Sequence, residues 1–99
     1  MKIARTITRY TDYVEEFSLG LNLIDSEISA VISCPLKDEI KRLADVVMLD
    51  PEVGKIRVTV KNDQLREFGF EDVYIILMTT RNSTVFNPLN LWLSVQRLP

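Results

Sequence analysis

Apolar residues recur along this chain mostly at every second position, and a period of two is the signature of half-buried strands. Phe17, Leu19, Leu21 and Leu23 fall on one face of such a strand, with Ser18, Gly20 and Asn22 on the other. Asn22, Asp25 and Ser26 then supply turn chemistry, after which Ile28, Ala30 and Ile32 repeat the pattern. Ile56, Val58 and Val60 predict a third strand, and Leu89, Leu91, Leu93 and Val95 a fourth close to the C-terminus. Ile3 and Ile7 mark an edge strand or arm within residues 1–12. Residues 73–80 are apolar on both faces and rich in β-branched and aromatic side chains, which predicts a central or covered strand. The polar run Arg81-Asn82-Ser83-Thr84 predicts a hairpin loop, from which Val85, Phe86 and a break at Asn87-Pro88 lead back antiparallel into the last strand.

Residues 50–69 are the most strongly punctuated part of the chain. A turn from Asp50 to Gly54 launches the strand Lys55-Ile56-Arg57-Val58-Thr59-Val60. Asn62 or Asp63 caps one helical turn that Gly69 closes in a left-handed conformation, so that Leu65 and Phe68 plug the end of the core. Residues 35–49 support two readings. Leu36, Ile40, Leu43 and Val47 recur at helical spacing behind Pro35, with Asp38 and Glu39 in the first turn. Leu43, Asp45, Val47 and Leu49 also alternate, which predicts a loop or hairpin centred on residues 37–41 followed by a strand into the Asp50 turn. The elements together predict a single all-β domain over residues 1–99, an antiparallel sandwich of about seven strands with one short helical turn near residues 63–69.

Composition changes the picture mainly by exclusion. With 99 residues, of which 46% are apolar and 26% charged, the chain is long enough to bury a core without staples. A formal net charge of −2 and scattered cations argue against a nucleic-acid footprint, which needs clustered Lys and Arg. The N-terminal Met1-Lys2-Ile3-Ala4-Arg5-Thr6 is too polar for a signal peptide, and no apolar window is long enough to span a membrane, so a soluble product not exported by a signal is expected. Cys34, the single cysteine, sits between Ser33 and Pro35 at an expected strand end and reads as a small buried apolar residue.

Catalytic chemistry finds little to work with. The chain has no histidine, which removes the commonest general base and metal ligand. The carboxylate pairs Glu15-Glu16, Asp38-Glu39 and Glu71-Asp72 are adjacent in sequence, and neighbours on a strand point to opposite faces, so each pair reads as a solvated edge or turn. Asp45, Asp50 and Glu52 fall short of a calcium loop's oxygen set. Gly20, Gly54 and Gly69 are too far apart to cradle a phosphate, and Asn82-Ser83-Thr84 marks only an exposed polar hairpin. No enzyme activity, metal or cofactor is expected.

Surface is what remains. If Val73, Ile75 and Leu77 face the core, then Tyr74, Ile76 and Met78 face outward, and Trp92 points away from the face formed by Leu89, Leu91 and Leu93. On neighbouring strands these four form a patch of several hundred Å², about the largest that a monomer exposes, and Trp, Tyr and Met are favoured at interfaces. The patch is either an interface or is covered from within, by the segment with Ile3 and Ile7 or by residues 36–47 as an amphipathic helix.

The order of features resembles the N-terminal immunoglobulin-like domain of baseplate upper proteins and related tail-fibre and head-fibre proteins of tailed bacteriophages. The matching positions are Phe17 to Leu23, Ile28 to Ile32, Asp50 with Gly54, Ile56-Val58-Val60, Gln64-Leu65 with Gly69-Phe70, and Leu91-Leu93-Val95, across residues 12–97. Where that family opens with Gly-Asp, this chain has Tyr13-Val14-Glu15-Glu16. The resemblance implies an immunoglobulin-like sandwich with a structural role: a virion component, assembled in the host cytoplasm, that anchors a fibre or baseplate through contacts with other virion proteins and with itself, as a trimer or hexamer. Gln96-Arg97-Leu98-Pro99 would then lead toward a fibre's shaft. Two other classes stay open, a small regulatory protein that binds a host protein, and a carbohydrate-binding module using Trp92 and Tyr74.

Overall fold

The alternating segments fold as seven strands in one sheet that curls on itself into a nearly closed, barrel-like sandwich. A computed structural model describes residues 1–96; Arg97, Leu98 and Pro99 lie outside the described residues. The strands are β1 (Lys2–Ile7), β2 (Tyr13–Ser18), β3 (Glu27–Ser33), β4 (Lys41–Asp50), β5 (Lys55–Val60), β6 (Val73–Arg81) and β7 (Thr84–Val95), with the helix α1 (Asn62–Glu67) between β5 and β6. Their spatial order is β1-β7-β6-β3-β4-β5-β2. Within it, β2-β5-β4 and β3-β6-β7 reproduce the strand neighbours of the two sheets of an immunoglobulin-type sandwich. β4 belongs to both halves: residues 41–44 pair with β3, and residues 45–50 pair with β5.

The expected antiparallel sandwich needs one correction, because β1 runs parallel to β7, with Ile3 beside Leu91 and Ile7 beside Val95. The link from β1 to β2 explains the direction. Residues 8–12 are too few to travel the length of the sandwich, so β1 must finish at the end where β2 begins, beside α1. There the Asn62 side chain donates to Arg9 O at 2.6 Å, and the Asn62 N–H donates to Asp12 Oδ1 at 2.7 Å.

The opening strand also lies earlier than expected, at Tyr13–Ser18 instead of residues 17–23. Gly20 takes φ +69°, and the Leu19 and Gly20 N–H groups turn to the carbonyls of Gly54 and Val53. Residues 19–23 thus strap across the turn before β5, with Leu19 and Leu23 still buried in the predicted phase. Gly54 has φ +69°, and a Cβ there would stand 2.7 Å from the Leu21 carbonyl oxygen. Both the backbone angle and the close approach demand glycine at that position.

Residues 35–49 resolve as the loop-then-strand reading: a single 3₁₀ turn at Pro35–Lys37, then β4. The helical set fails because Leu36, Leu43 and Val47 are all exposed; it is Ala44, Val46 and Met48 that turn inward. α1 forms as predicted but is capped differently. Lys61 precedes it, and the Lys61 N–H donates to Gln64 Oε1 at 3.0 Å, so neither Asn62 nor Asp63 is the cap. At its C-terminus the Phe70 N–H bonds to Leu65 O and the Gly69 N–H to Arg66 O, which is a Schellman motif.

The core gathers Ile32, Ile75, Leu77, Leu91 and Leu93 from one half and Phe17, Ile56, Val58 and Val60 from the other. Leu65 and Phe68 are fully buried at the α1 end, as predicted, and Cys34 is buried just past β3. The two ends of the sheet meet through side chains. Arg5 on β1 and Glu15 on β2 occupy inward-phase positions, between Ile3 and Ile7 and between Tyr13 and Phe17. Arg5 donates Nε and Nη2 to Glu15 at 2.9 Å each, and Tyr13 Oη donates to Glu15 Oε1 at 2.7 Å. The Arg5 hydrogen bonds hold the Glu15 carboxyl below its usual range, while burial and then the Glu15 contact push the Tyr13 hydroxyl upward. Inward-pointing charge on an edge strand discourages pairing with other chains. Here the two edges carry opposite charges and close on each other, so Glu15 is not the solvated residue that its sequence neighbourhood suggested.

Candidate docking face

Strand alternation and register place Tyr74, Ile76, Met78 and Trp92 on one outward surface, as their spacing predicts. Tyr74 lies opposite Trp92, with ring centroids 4.2 Å apart and ring planes tilted by 54°. Such an aromatic contact is worth about 0.5–1.5 kcal/mol beyond its buried area. The indole N–H donates to Ser94 Oγ at 2.9 Å, which fixes the ring along β7. Tyr74 is 42% exposed and Ile76 37%; Met78 and Trp92 are half-buried by their neighbours on the face.

Neither expected cover lies over it among the described residues. β1 joins the side of β7 as an edge strand, in the plane of the sheet, and residues 41–44 extend the far side as part of β4. Both segments widen the surface that they were expected to hide. Ile76 stands between Asn90 and Val31, and Val31 is opposite Leu43, which is 65% exposed. Across the five strands the row reads Lys2, Asn90, Ile76, Val31, Leu43, and the next reads Ala4, Trp92, Tyr74, Ser33, Lys41. Apolar and aromatic side chains hold the centre, with one lysine at each margin. Lys41 Nζ donates to Ser33 Oγ at 3.0 Å.

A broad depression of about 710 Å³ runs along this surface, bounded by Lys2 and Ala4 on one side and by Tyr74, Ile76, Asn90 and Trp92 on the other. Val31 and Leu43 belong to the surface but were not singled out by spacing alone. Val31 does alternate against Ala30 and Ile32, so its outward phase was readable. That it neighbours Ile76 depends on β3 pairing with β6, which no local pattern encodes.

The chemistry at hand is that of packing. Among the described residues, no group of three or more Cys, Asp or Glu lies close enough to hold a metal ion. Asp50 Oδ1 accepts from the Glu52 N–H at 3.2 Å, and Asp72 Oδ1 accepts from the Val95 N–H at 3.0 Å. The first contact is an Asx turn, and both carboxylates serve the backbone. No described helix is long and apolar enough to cross a membrane. In comparisons with known proteins, the sequence matches no family model and no curated relative.

Proposed function

We propose that this domain is a non-catalytic connector that holds a larger assembly together by seating the outer face of β6 and β7 on another protein. One observation carries the reading: on the sheet face centred on Tyr74, Ile76 and Trp92, each of four neighbouring strands contributes an apolar or aromatic side chain, and no part of the described chain covers it. Interface centres favour this composition, with aromatic residues and methionine in the middle and charge at the rim. The resemblance to phage baseplate and fibre base domains supplies the setting, a virion component anchoring a fibre or baseplate to its neighbours. The tilt of the Tyr74–Trp92 pair favours a protein over a sugar as the occupant, because a pyranose ring stacks best on flat, coplanar aromatics.

The test is incorporation. Trp92→Ala combined with Met78→Ser removes the centre of the face while leaving the core residues untouched. The doubly substituted chain is expected to fold, by circular dichroism, yet to be missing from purified particles, whereas Val14→Lys on the opposite side is retained. Retention of the double variant at wild-type level overturns the proposal.

A further inference from the structure

β7 is longer than its neighbours need. β1 covers its outer edge only from Asn90 to Val95, and the N-terminal amine of Met1 reaches Pro88 O at 3.3 Å. Residues 84–86 therefore pair with β6 on one side, Asn87 reaches Leu77 O through its side chain at the bulge that follows, and none of the four has a described strand on the other side. Val85 is 55% and Phe86 41% exposed, and the chain carries no charged residue from Asn82 through Gln96. An exposed edge that carries Val85 and Phe86 and no charge is what soluble β proteins normally avoid. The outermost strands β1 and β2 are guarded by the Arg5–Glu15 pair, and the open side of β4 at residues 45–50 carries Asp45 and Asp50, whereas residues 83–87 carry no charge.

We infer that residues 83–87 pair antiparallel with the same segment of a second copy, about a two-fold axis through Val85. Self-complementarity singles out the occupant and the register. Asn82 and Ser83 have φ +50° and +65°, between the closing pair Arg81 and Thr84. Two left-handed residues in a two-residue loop make a type I′ turn. The closing pair of such a turn is hydrogen-bonded, and pairs alternate along an antiparallel ladder. The Val85 N–H and C=O, opposite Thr80, thus point away from β6 and into the open edge. Set against the partner's Val85, they exchange two hydrogen bonds, with Thr84 opposite the partner's Phe86 and Ser83 opposite the partner's Asn87. Moving the axis to Phe86 would set the partner's turn residues Asn82 and Ser83 opposite Asn90 and Leu89, where Met1 already occupies the edge. Pro88, which has no N–H, ends the pairing on its own side.

The interface is small, below the roughly 1,200 Å² of standard complexes, so the dimer is a concentration-dependent one. It stands apart from the docking face, and the two fail separately. In sedimentation equilibrium, the mass is expected to rise from 11.4 kDa toward twice that value as the protein is concentrated. The rise falls in the range of about 0.1–1 mM, where an association of about 4–5.5 kcal/mol shows. Hydrogen exchange at the Val85 amide slows in parallel. Val85→Pro removes an N–H that β6 does not use and should shift association at least tenfold with the fold intact; Val85→Lys should do the same by placing like charges across the axis. Trp92→Ala with Met78→Ser should leave this association unchanged. A mass that stays at the monomer value, a Val85→Pro dimer as tight as wild type, or a dimer abolished by the docking-face variant each overturns the inference.

Discussion

On the outside of β6, Tyr74 stands opposite Trp92, and Ile76 opposite Val31, which itself faces Leu43; on the outside of β5, Arg57 stands opposite Glu16, and Thr59 opposite Val14. The second surface also has apolar residues, since Val14 and Val47 are both about half exposed. Neither pairs with another apolar residue across the ladder: Val14 meets Thr59, and Val47 meets Arg57. Glu16 bridges Arg57 at 3.2 Å and Lys55 at 3.8 Å, which spreads charge over that side. Exposure alone therefore does not mark a working surface. Val14 is more exposed than Ile76, yet only Ile76 has an apolar cross-strand neighbour, Val31, which continues to Leu43, and cross-strand clustering is what makes a patch.

Substitutions on the two faces separate these roles, beginning with the largest effect. Leu77→Ala, in the core directly beneath the docking face, is expected to cost about 2–5 kcal/mol by denaturant unfolding, whereas Ile76→Ala on the adjacent position costs less than about 1 kcal/mol. Comparable losses at the two sites would mean that the outer face is covered after all. Trp92→Ala should cost about 1–2 kcal/mol, through its Tyr74 contact and half-buried ring, with a matching loss in Tyr74→Ala and strong non-additivity in the double variant. On the charged side, Glu16→Ala should change stability by no more than about 1 kcal/mol, and by less still in high salt, because both its ion pairs are exposed.

The Arg5–Glu15–Tyr13 closure gives the smallest and most pH-specific effect. The Glu15 carboxyl is held below its ordinary value, so its contribution is present above the usual carboxylate range and lost as pH falls through the folded value. Thermal stability should therefore decline below about pH 4, and Glu15→Gln should flatten that limb. The Tyr13 hydroxyl is raised, so the unfolded chain releases its proton first and stability falls above about pH 10; Tyr13→Phe should flatten the alkaline side. Unaltered profiles in both variants would show that the two edges are not held together by this contact.

Much of the sandwich was readable because its inner positions obey period two. Ile32, Ile56, Val58, Leu91 and Leu93 are all buried in the phase that alternation assigns, and Leu65 and Phe68 plug the end as their spacing ahead of Gly69 suggests. What local pattern could not supply was pairing. The parallel setting of β1 follows from the short link at residues 8–12, and the Arg5–Glu15 contact joins strands at opposite ends of the sheet order. Residues 35–49 were ambiguous because β4 has apolar side chains on both sides: Ala44, Val46 and Met48 inside, Leu43 and Val47 outside. The outward phase of Tyr74, Ile76, Met78 and Trp92 was legible; the widening of their surface by Val31 and Leu43 needed the β3–β4 and β3–β6 registers.

Whether the β6–β7 face is the one seated against another protein can be decided by a photo-cross-linking residue at Ile76, compared with one at Val14, in assembled particles. Position 76 is expected to give an adduct to a second protein species and position 14 none, with the position-76 adduct lost in the Trp92→Ala, Met78→Ser background. Equal labelling from both positions, or labelling from position 14 alone, would contradict a docking role for this face.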